Sequence, residues 1–384
     1  MSRLLIDPGF TTDAMSEAFS DEAKLKAILT FEAALATAQG ELEMIPVEHA
    51  REIARACDAD VEDPGAMLML GWEFGTPLIP VVRWLTEKVP ATAASSVHYR
   101  ATTQDAVDTA TVMLMKAALT AVTSDLVRVG NSLASFAGTH RLTPVLGRTF
   151  LQPATTTSFG ARVASWLSPL GGLIGDLRWD IHTFPIQLGG PVGDMSGFGE
   201  SGPALVDRVA SILDLKVPIS PWHTDRTPIR RVMEHLNAVG IAMAKVAYDL
   251  TLLSQIEIGE VQVRSGGSSS MPGKRNPIDA IRCLAAAQVC ATTTSLVTTA
   301  ARHELERGAG SWHTETFAIP VVFNATHVAI GAMISCLESM TVDSTRMLAN
   351  IESYGADQPP SSVGALVDGV VAEWNARAGE QHQA

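Results

Sequence analysis

The chain has 384 residues, of which 46% are hydrophobic and only 5% aromatic, and its formal net charge is −13. This length predicts two or three domains with ample core, and an apolar fraction dominated by Ala, Leu, Val, Ile and Met favours closely packed helices. No block of Lys and Arg occurs, which argues against nucleic acid or an anionic membrane as the partner.

The first hundred residues predict short helices. Residues 21–42 have apolar side chains at helical spacing, with Ser20 or Asp21 as the N-cap. A second helix is expected at 47–58. Breaks at Gly and Pro then precede a third helix, over Val81–Lys88.

Long apolar helices follow from residue 105 onward. They are predicted over 105–137, 236–263, 278–301 and 317–340, the last with Pro320 near its start. Such helices are apolar around most of their circumference, so they must be buried on several sides. One copy of the chain can hardly cover them all, which predicts an oligomer. A large monomeric helical core is the alternative.

Four cysteines show neither a Cys-x-x-Cys pair nor a His at zinc-ligand spacing: Cys57, Cys283, Cys290 and Cys336. They predict free thiols in a reducing compartment and no metal site. No run of about 18 uninterrupted apolar residues occurs, and the first residues lack a signal-peptide core. We therefore expect no membrane span and a cytoplasmic location.

Polar stretches rich in Arg, His, Thr or Gln stand beside the predicted long helices, at 96–105, 146–153 and 221–227. The Gly/Ser/Pro-rich stretch 266–277 adds a Lys, an Arg and an Asn. Helix ends with free N–H groups and nearby hydroxyls bind anions. The stretch 266–277 thus suits anion binding and proton transfer, and by itself it is equally typical of a solvated linker.

Three of these segments carry a family resemblance. Gly267-Ser-Ser-Ser-Met-Pro-Gly-Lys-Arg-Asn-Pro277 resembles the Gly-Ser-Ser-x-Met-Pro-x-Lys-x-Asn-Pro loop of the fumarase/aspartase superfamily. His98-Tyr-Arg-Ala-Thr-Thr-Gln-Asp105 and Gly147-Arg-Thr-Phe-Leu-Gln-Pro-Ala154 are similar to two further segments of that superfamily. They occur in family order, and the resemblance covers essentially the whole chain.

The resemblance implies an all-α, three-domain fold. Its expected parts are an N-terminal helical domain (1–104), a central long-helix bundle that carries the loop (105–342), and a short C-terminal helical region with a tail (343–384). It further implies a homotetramer that completes the bundle, with each active site shared between subunits. The expected substrate is a small tricarboxylate, and no metal or cofactor is expected.

The resemblance also assigns roles to individual residues. Ser268 matches the loop serine that transfers the proton, Ser269 is the neighbouring possibility, and Lys274 is the cation that would activate it. Substrate-binding roles are expected for eight residues: His98, Thr102, Thr103, Arg148, Gln152, Arg226, Asn276 and Arg307.

Two departures from the eliminating members indicate the reaction. Phe150 and Ile281 stand where those members carry the His and the Glu that protonate the leaving group. A carboxylate leaving group, with a pKa of about 4, needs no such acid. This favours the lactonising branch, in which an internal carboxylate adds to a double bond. The alternatives are an adenylosuccinate- or argininosuccinate-type lyase and a non-catalytic structural homologue.

Overall fold

The computed structural model describes residues 8–354 and 362–379, which are mostly α-helical and so confirm the all-α expectation. The helices are α1 Asp13–Ala18, α2 Asp21–Glu41, α3 Val47–Cys57, α4 Pro64–Leu70, α5 Leu78–Lys88, α6 Thr103–Thr139, α7 Phe159–Thr183, α8 Gly202–Leu213, α9 Thr227–Leu253, α10 Ile278–Ala300, α11 Ser311–Ser339, α12 Ser344–Tyr354 and α13 Val363–Gly379. Two antiparallel strand pairs accompany them, β1 Pro144–Thr149 with β2 Gln152–Ser158 and β3 Val261–Gln262 with β4 Thr341–Val342.

The helix α9 is shifted along the sequence from its predicted span. It begins at Thr227 rather than at 236, because Pro228 lies in the first turn, where its missing N–H has no helical partner to lose. It ends at Leu253 rather than at 263, and the chain then turns into β3. By contrast, α6 and α10 lie within two residues of the predicted bounds.

The helix α7 was absent from the sequence-based expectation. Pro169 stands inside it, and Gly171, Gly172 and Gly175 follow, so its local signal is that of a break. Tertiary packing overrides this signal, because Trp166, Leu167 and other apolar side chains of α7 are almost fully buried.

The polar stretch at 146–153 was predicted without regular structure. It forms the end of β1, the turn and the start of β2 in the β1–β2 hairpin.

Apolar burial and one tight glycine contact hold the C-terminal helix α13 against α6. Trp374 is 2% exposed, and its Nε1 donates to Asn131 Oδ1 at 3.0 Å. Its ring lies over Gly130, where a Cβ atom would come within 2.1 Å of the indole. This helix, Val363–Gly379, lies in the region 343–384 that was expected to be a short helical region with a tail. Residue 361 and the predicted polar tail at 380–384 lie outside the described residues.

The five long helices α6, α7, α9, α10 and α11 run between the two ends of a bundle. We call these the Thr102 end, marked by Thr102, Asp108 and Arg226, and the Glu260 end, marked by Arg148 and Glu260. The helix α6 joins them with 37 residues, or about 55 Å, and α10 joins them with 23 residues, or about 35 Å. Residues at opposite ends of one chain therefore cannot touch the same small molecule.

Part of the apolar surface of the long helices is not covered within the chain. Seven apolar side chains there are between 41% and 60% exposed: Trp179 on α7, Ile241 and Tyr248 on α9, Ile281, Val289 and Leu296 on α10, and Phe317 on α11. By length and composition alone, α6, α9, α10 and α11 could each cross a membrane, and the bent α4–α5 region could form a fifth span. Composition alone therefore does not exclude a membrane span, and the absence of a span stays a prediction.

Candidate functional site

The loop between β3 and α10 is closed at its base by backbone hydrogen bonds. The N–H of Gly266 donates to the carbonyl of Asn276 at 2.9 Å, and the N–H of Asn276 returns a longer bond at 3.4 Å. Arg264 clamps the start of the loop to Asp279 of α10 through Nε at 2.7 Å and Nη2 at 2.8 Å. The loop thus projects from the Glu260 end on a fixed stem.

The two candidate serines differ within this loop. Ser268 Oγ accepts the backbone N–H of Met271 at 3.0 Å and that of Ser270 at 3.4 Å. Two N–H dipoles aimed at one hydroxyl oxygen stabilise negative charge on it, so Ser268 is better prepared than Ser269 to give up a proton. Lys274 is exposed in the same loop.

Arg148, expected to bind substrate, is held by a buried carboxylate. Its Nη2 donates to Glu260 Oε1 at 2.8 Å and its Nη1 to Oε2 at 3.0 Å. Glu260 is fully buried and also contacts Arg162 at 3.4 Å and Asn350 at 2.8 Å. Because the carboxylate occupies its guanidinium fork, Arg148 braces the β1–β2 hairpin. The expected substrate-binding role of Arg148 stays a prediction.

The tip of the β1–β2 hairpin presents apolar side chains outward. Phe150 is 99% exposed and Leu151 64% exposed, and both have positive φ, at 51° and 62°. Residues other than glycine rarely adopt this backbone conformation, so the turn costs free energy. Gln152, the substrate-binding candidate that follows, is exposed at the start of β2. The tip thus faces away from its own chain.

At the Thr102 end, a buried carboxylate organises the start of α6. Asp105 is 0% exposed and accepts the N–H groups of Thr102, Gly189 and Gly190 at 2.9 to 3.0 Å. Its Oδ1 also lies 2.8 Å from His223 Nε2. These bonds fix the loop around Gly190 beside Thr102 and its neighbour Thr103, the first residue of α6.

Arg307 lies in this group, and its Nη atoms are already bonded. Nη2 donates to Thr102 Oγ1 at 2.8 Å and to the carbonyls of Gly190 and Pro191, while Nη1 donates to Gln104 at 3.2 Å. Its buried Nε has no partner among the described residues. Burial lowers the pKa of Arg307, although Asp105 and Asp108 oppose this effect. Arg307 therefore orients the Thr102 hydroxyl and keeps one donor in reserve.

Arg226, a further substrate-binding candidate, is a buried structural residue. It donates to Asp108 through Nη1 at 2.8 Å and to Glu315 through Nη2 at 2.6 Å, and its side chain is 1% exposed. Burial lowers the pKa of Arg226, but the two carboxylates outweigh this and raise it overall. Its guanidinium is thus paired with carboxylates on both edges, and the expected substrate-binding role of Arg226 stays a prediction.

His98 meets a carboxylate from the N-terminal helices. Its Nδ1 lies 2.7 Å from Oε1 of Glu32 on α2, and Glu32 is 1% exposed. His98 and Thr102 thus stand on one turn at the Thr102 end, while Ser268, Lys274 and Asn276 stand at the opposite end. One chain brings the candidates together as two separate groups.

Sequence reasoning missed the acidic residues that hold these groups in place: Glu32, Asp108, Glu260 and Glu315. The sequence pattern could have indicated Glu32, since it stands among apolar residues on the buried face of α2, whereas no pattern indicated Glu260.

Within 8–354 and 362–379, no group of three or more His, Cys, Asp or Glu side chains is arranged to hold a metal ion. Hollows of about 460 and 610 Å³ lie beside α13 and beside α4, away from every candidate.

Comparisons with known proteins agree with the loop motifs. The family model described as Lyase matches residues 9–291. A 3-carboxy-cis,cis-muconate cycloisomerase of Bradyrhizobium diazoefficiens is 34% identical over 91% of this chain and 79% of that protein. A nitrosuccinate lyase of Streptomyces davaonensis is 31% identical over 97% of this chain and 82% of that protein. The crystal structure of the 3-carboxy-cis,cis-muconate lactonizing enzyme from Pseudomonas putida matches with a TM-score of 0.83 and 29% identity, covering 98% of this chain and 90% of that one.

Proposed function

The chain belongs to the lyase family, the fumarase/aspartase superfamily expected from its loop motifs, and we propose that it is a cycloisomerase that converts 3-carboxy-cis,cis-muconate to 4-carboxymuconolactone. The similarity to the Bradyrhizobium and Pseudomonas enzymes supports this substrate. A cytoplasmic location is part of the proposal, and four buried free cysteines favour it.

The single observation that carries the proposal is the environment of Ser268. A carboxylate oxygen of the substrate forms a bond to one carbon of a double bond, and the π electron pair moves toward the neighbouring carbon, next to a carboxylate. That carbon then takes the proton of the Ser268 hydroxyl. The N–H groups of Ser270 and Met271 stabilise the alkoxide that remains, which is the electrostatic help that a serine needs for this role.

The absence of an acid at two positions supports a reaction with an anionic leaving group. Phe150 and Ile281, 99% and 49% exposed, cannot protonate anything. In the reverse of lactonisation the leaving group is a carboxylate, which departs unprotonated. Nitrite, the anion of a fairly strong acid, also departs unprotonated. Elimination from nitrosuccinate, the activity named for the Streptomyces relative, is therefore the second candidate.

Substrate carboxylates would be bound by the candidates that remain available. These are His98, Thr102, Thr103, Gln152, Lys274 and Asn276, with Arg307 orienting Thr102. Hydroxyl, amide and cationic donors of this kind match a tricarboxylate. Arg148 and Arg226, whose guanidinium groups are paired with carboxylates within the chain, also hold the backbone of the site.

We propose a homotetramer because the two groups of candidates lie at opposite ends of one chain. The helix α10 alone separates them by about 35 Å. A site that uses both groups needs at least two subunits, and the uncovered apolar side chains of α9, α10 and α11 supply a surface for that association. Sedimentation of the purified protein as a monomer would contradict this part.

One assay separates the candidates. The purified protein is mixed with 3-carboxy-cis,cis-muconate, with nitrosuccinate, and with adenylosuccinate or argininosuccinate, and ultraviolet absorbance is followed. Turnover of the muconate supports the proposal. Turnover of only a fumarate-yielding substrate overturns it in favour of a lyase, and no turnover of any substrate favours a non-catalytic homologue.

A further inference from the structure

Two buried polar side chains on α2 face the turn that carries His98. Glu32 and Gln39 are seven residues apart and so lie on one face of the helix, where they are 1% and 0% exposed. Glu32 Oε1 meets His98 Nδ1 at 2.7 Å, and Gln39 Nε2 donates to the carbonyl of Tyr99 at 2.8 Å. Burying polar groups in an apolar helix face is costly unless they are hydrogen-bonded. Both side chains have their hydrogen-bond partner on this turn.

The turn itself is held in an unfavourable conformation. His98 has a φ of 51° and Arg100 a φ of 60°, and Arg100 Nη1 donates to the carbonyl of Gly197 at 2.6 Å. The imidazole is anchored only at Nδ1, and its side chain keeps 14% exposure. Within the described residues, Nε2 has no hydrogen-bond partner. Unlike the polar atoms that are fully buried without a partner, it is accessible to solvent. Nε2 is the ring atom left for a ligand.

We propose that Glu32 is a positioning residue for His98. By accepting the Nδ1 proton, its carboxylate sets the orientation of the ring and stabilises the imidazolium, whose Nε2–H donates to a carboxylate of the substrate. The inference rests on the proposed function for the identity of that substrate. It gives the N-terminal helix α2 a part in binding.

The charges around His98 favour its protonated form. Burial lowers the pKa of His98, but the attraction and hydrogen bond of Glu32 on α2 and the charge of Asp105 on α6 outweigh this, so the pKa lies above its usual value. Tyr99 and Arg100 neighbour it on its own turn, and Cys57 of α3 lies near Glu32. An imidazolium is present below the raised pKa and is lost as the pH increases through it, so substrate binding weakens in that direction.

The test compares Glu32→Gln with a matched control, Gln39→Met. Glutamine keeps the size of Glu32 and an oxygen for the Nδ1 proton but removes the charge. Gln39→Met removes the bond to Tyr99, on the same turn, and leaves the Glu32–His98 pair in place. For Glu32→Gln we expect KM for 3-carboxy-cis,cis-muconate to increase about tenfold near neutral pH, with a smaller change in kcat. In Glu32→Gln, KM should begin to increase at a lower pH than in the wild type. In Gln39→Met, KM should begin to increase at the same pH as in the wild type.

A second readout does not depend on the substrate. Diethylpyrocarbonate modifies neutral imidazole, so its rate at His98 as a function of pH, followed by mass spectrometry of the His98 peptide, reports the pKa. The midpoint should fall in Glu32→Gln and stay unchanged in Gln39→Met. The same midpoint in all three proteins would overturn the proposal. If the wild type does not turn over the muconate, the proposed function fails, and this readout still decides the role of Glu32.

A further variant guards against misfolding of Glu32→Gln. His98→Asn keeps an N–H for Glu32 and removes Nε2. It should increase KM about tenfold at low pH and abolish the dependence of KM on pH in this range. A KM that still follows the wild-type pH profile in this variant would overturn the proposal.

Discussion

Arg148 and Glu260 form a bidentate ion pair close to the tip of the β1–β2 hairpin, with N–O distances of 2.8 and 3.0 Å and a fully buried carboxylate. Arg162 and Asn350 complete the set around Glu260. The pair joins a hairpin to a segment 112 residues away, so it fixes where the exposed tip at Phe150 points.

Glu260→Gln should therefore destabilise the protein. It leaves Arg148 and Arg162 beside a neutral side chain in a buried site, and breaking a buried ion pair in this way costs about 3–5 kcal/mol. The control is Glu338→Gln, which removes an exposed pair with Arg128 and should cost less than about 1 kcal/mol. Urea unfolding at one protein concentration measures both, and equal midpoints would contradict the structural role of Glu260.

Substitution of each of the two loop serines should change turnover to a different extent. Ser268→Ala removes the hydroxyl that accepts two backbone N–H groups and should lower kcat at least ~100-fold. Ser269→Ala should retain most of the turnover, because nothing in the loop prepares that hydroxyl. Steady-state kinetics on 3-carboxy-cis,cis-muconate distinguish them. Near-normal kcat in Ser268→Ala would move the proton-transfer role elsewhere.

Two inactive variants should restore activity when their subunits are mixed. Arg307→Met damages the Thr102 end and Ser268→Ala the Glu260 end, so a shared site can take an intact part from each subunit. Random mixing should restore about a quarter of the wild-type sites. Ser268→Ala mixed with Lys274→Met is the control, since both changes lie in one loop and no site regains an intact copy. Equal recovery in both mixtures would refute sharing between subunits.

The pair of His235 and Asp180 should make stability depend on pH. The hydrogen bond that His235 donates to Asp180 raises the pKa of His235, and burial opposes this only in part. A raised folded-state pKa gives a contribution that is complete below the unfolded pKa of about 6.5 and is lost as the pH increases through the folded-state value. The contribution should be under about 1 kcal/mol, because the His235 side chain is 25% exposed.

This dependence is measured as a difference between two proteins. The unfolding free energy of the wild type minus that of His235→Gln should decrease from pH about 6 to about 8. His98, whose pKa is also raised, is present in both proteins and cancels. A difference that stays constant or increases with pH would show that Asp180 does not stabilise the imidazolium.

Local patterns predicted much of the helical frame. The ranges of α2, α3, α6 and α10 followed from apolar spacing and from capping residues within a few positions. The helix α7 did not, because Pro169 and its glycines read as a break and only contacts with α6, α9 and α13 make the helix stable. Local propensity is worth less per residue than the burial of one large side chain, so packing prevails there.

The sequence by itself determined the superfamily, the serine-rich loop motif and the apolar residues at Phe150 and Ile281, because each of these is a property of adjacent residues. Only the tertiary structure decided which carboxylates the arginines pair with. Arg148 pairs with Glu260 from 112 residues away, and Arg226 pairs with Asp108 and Glu315 from 118 and 89 residues away. An ion pair depends on distance in space, and no spacing along a chain encodes a partner that only folding brings near.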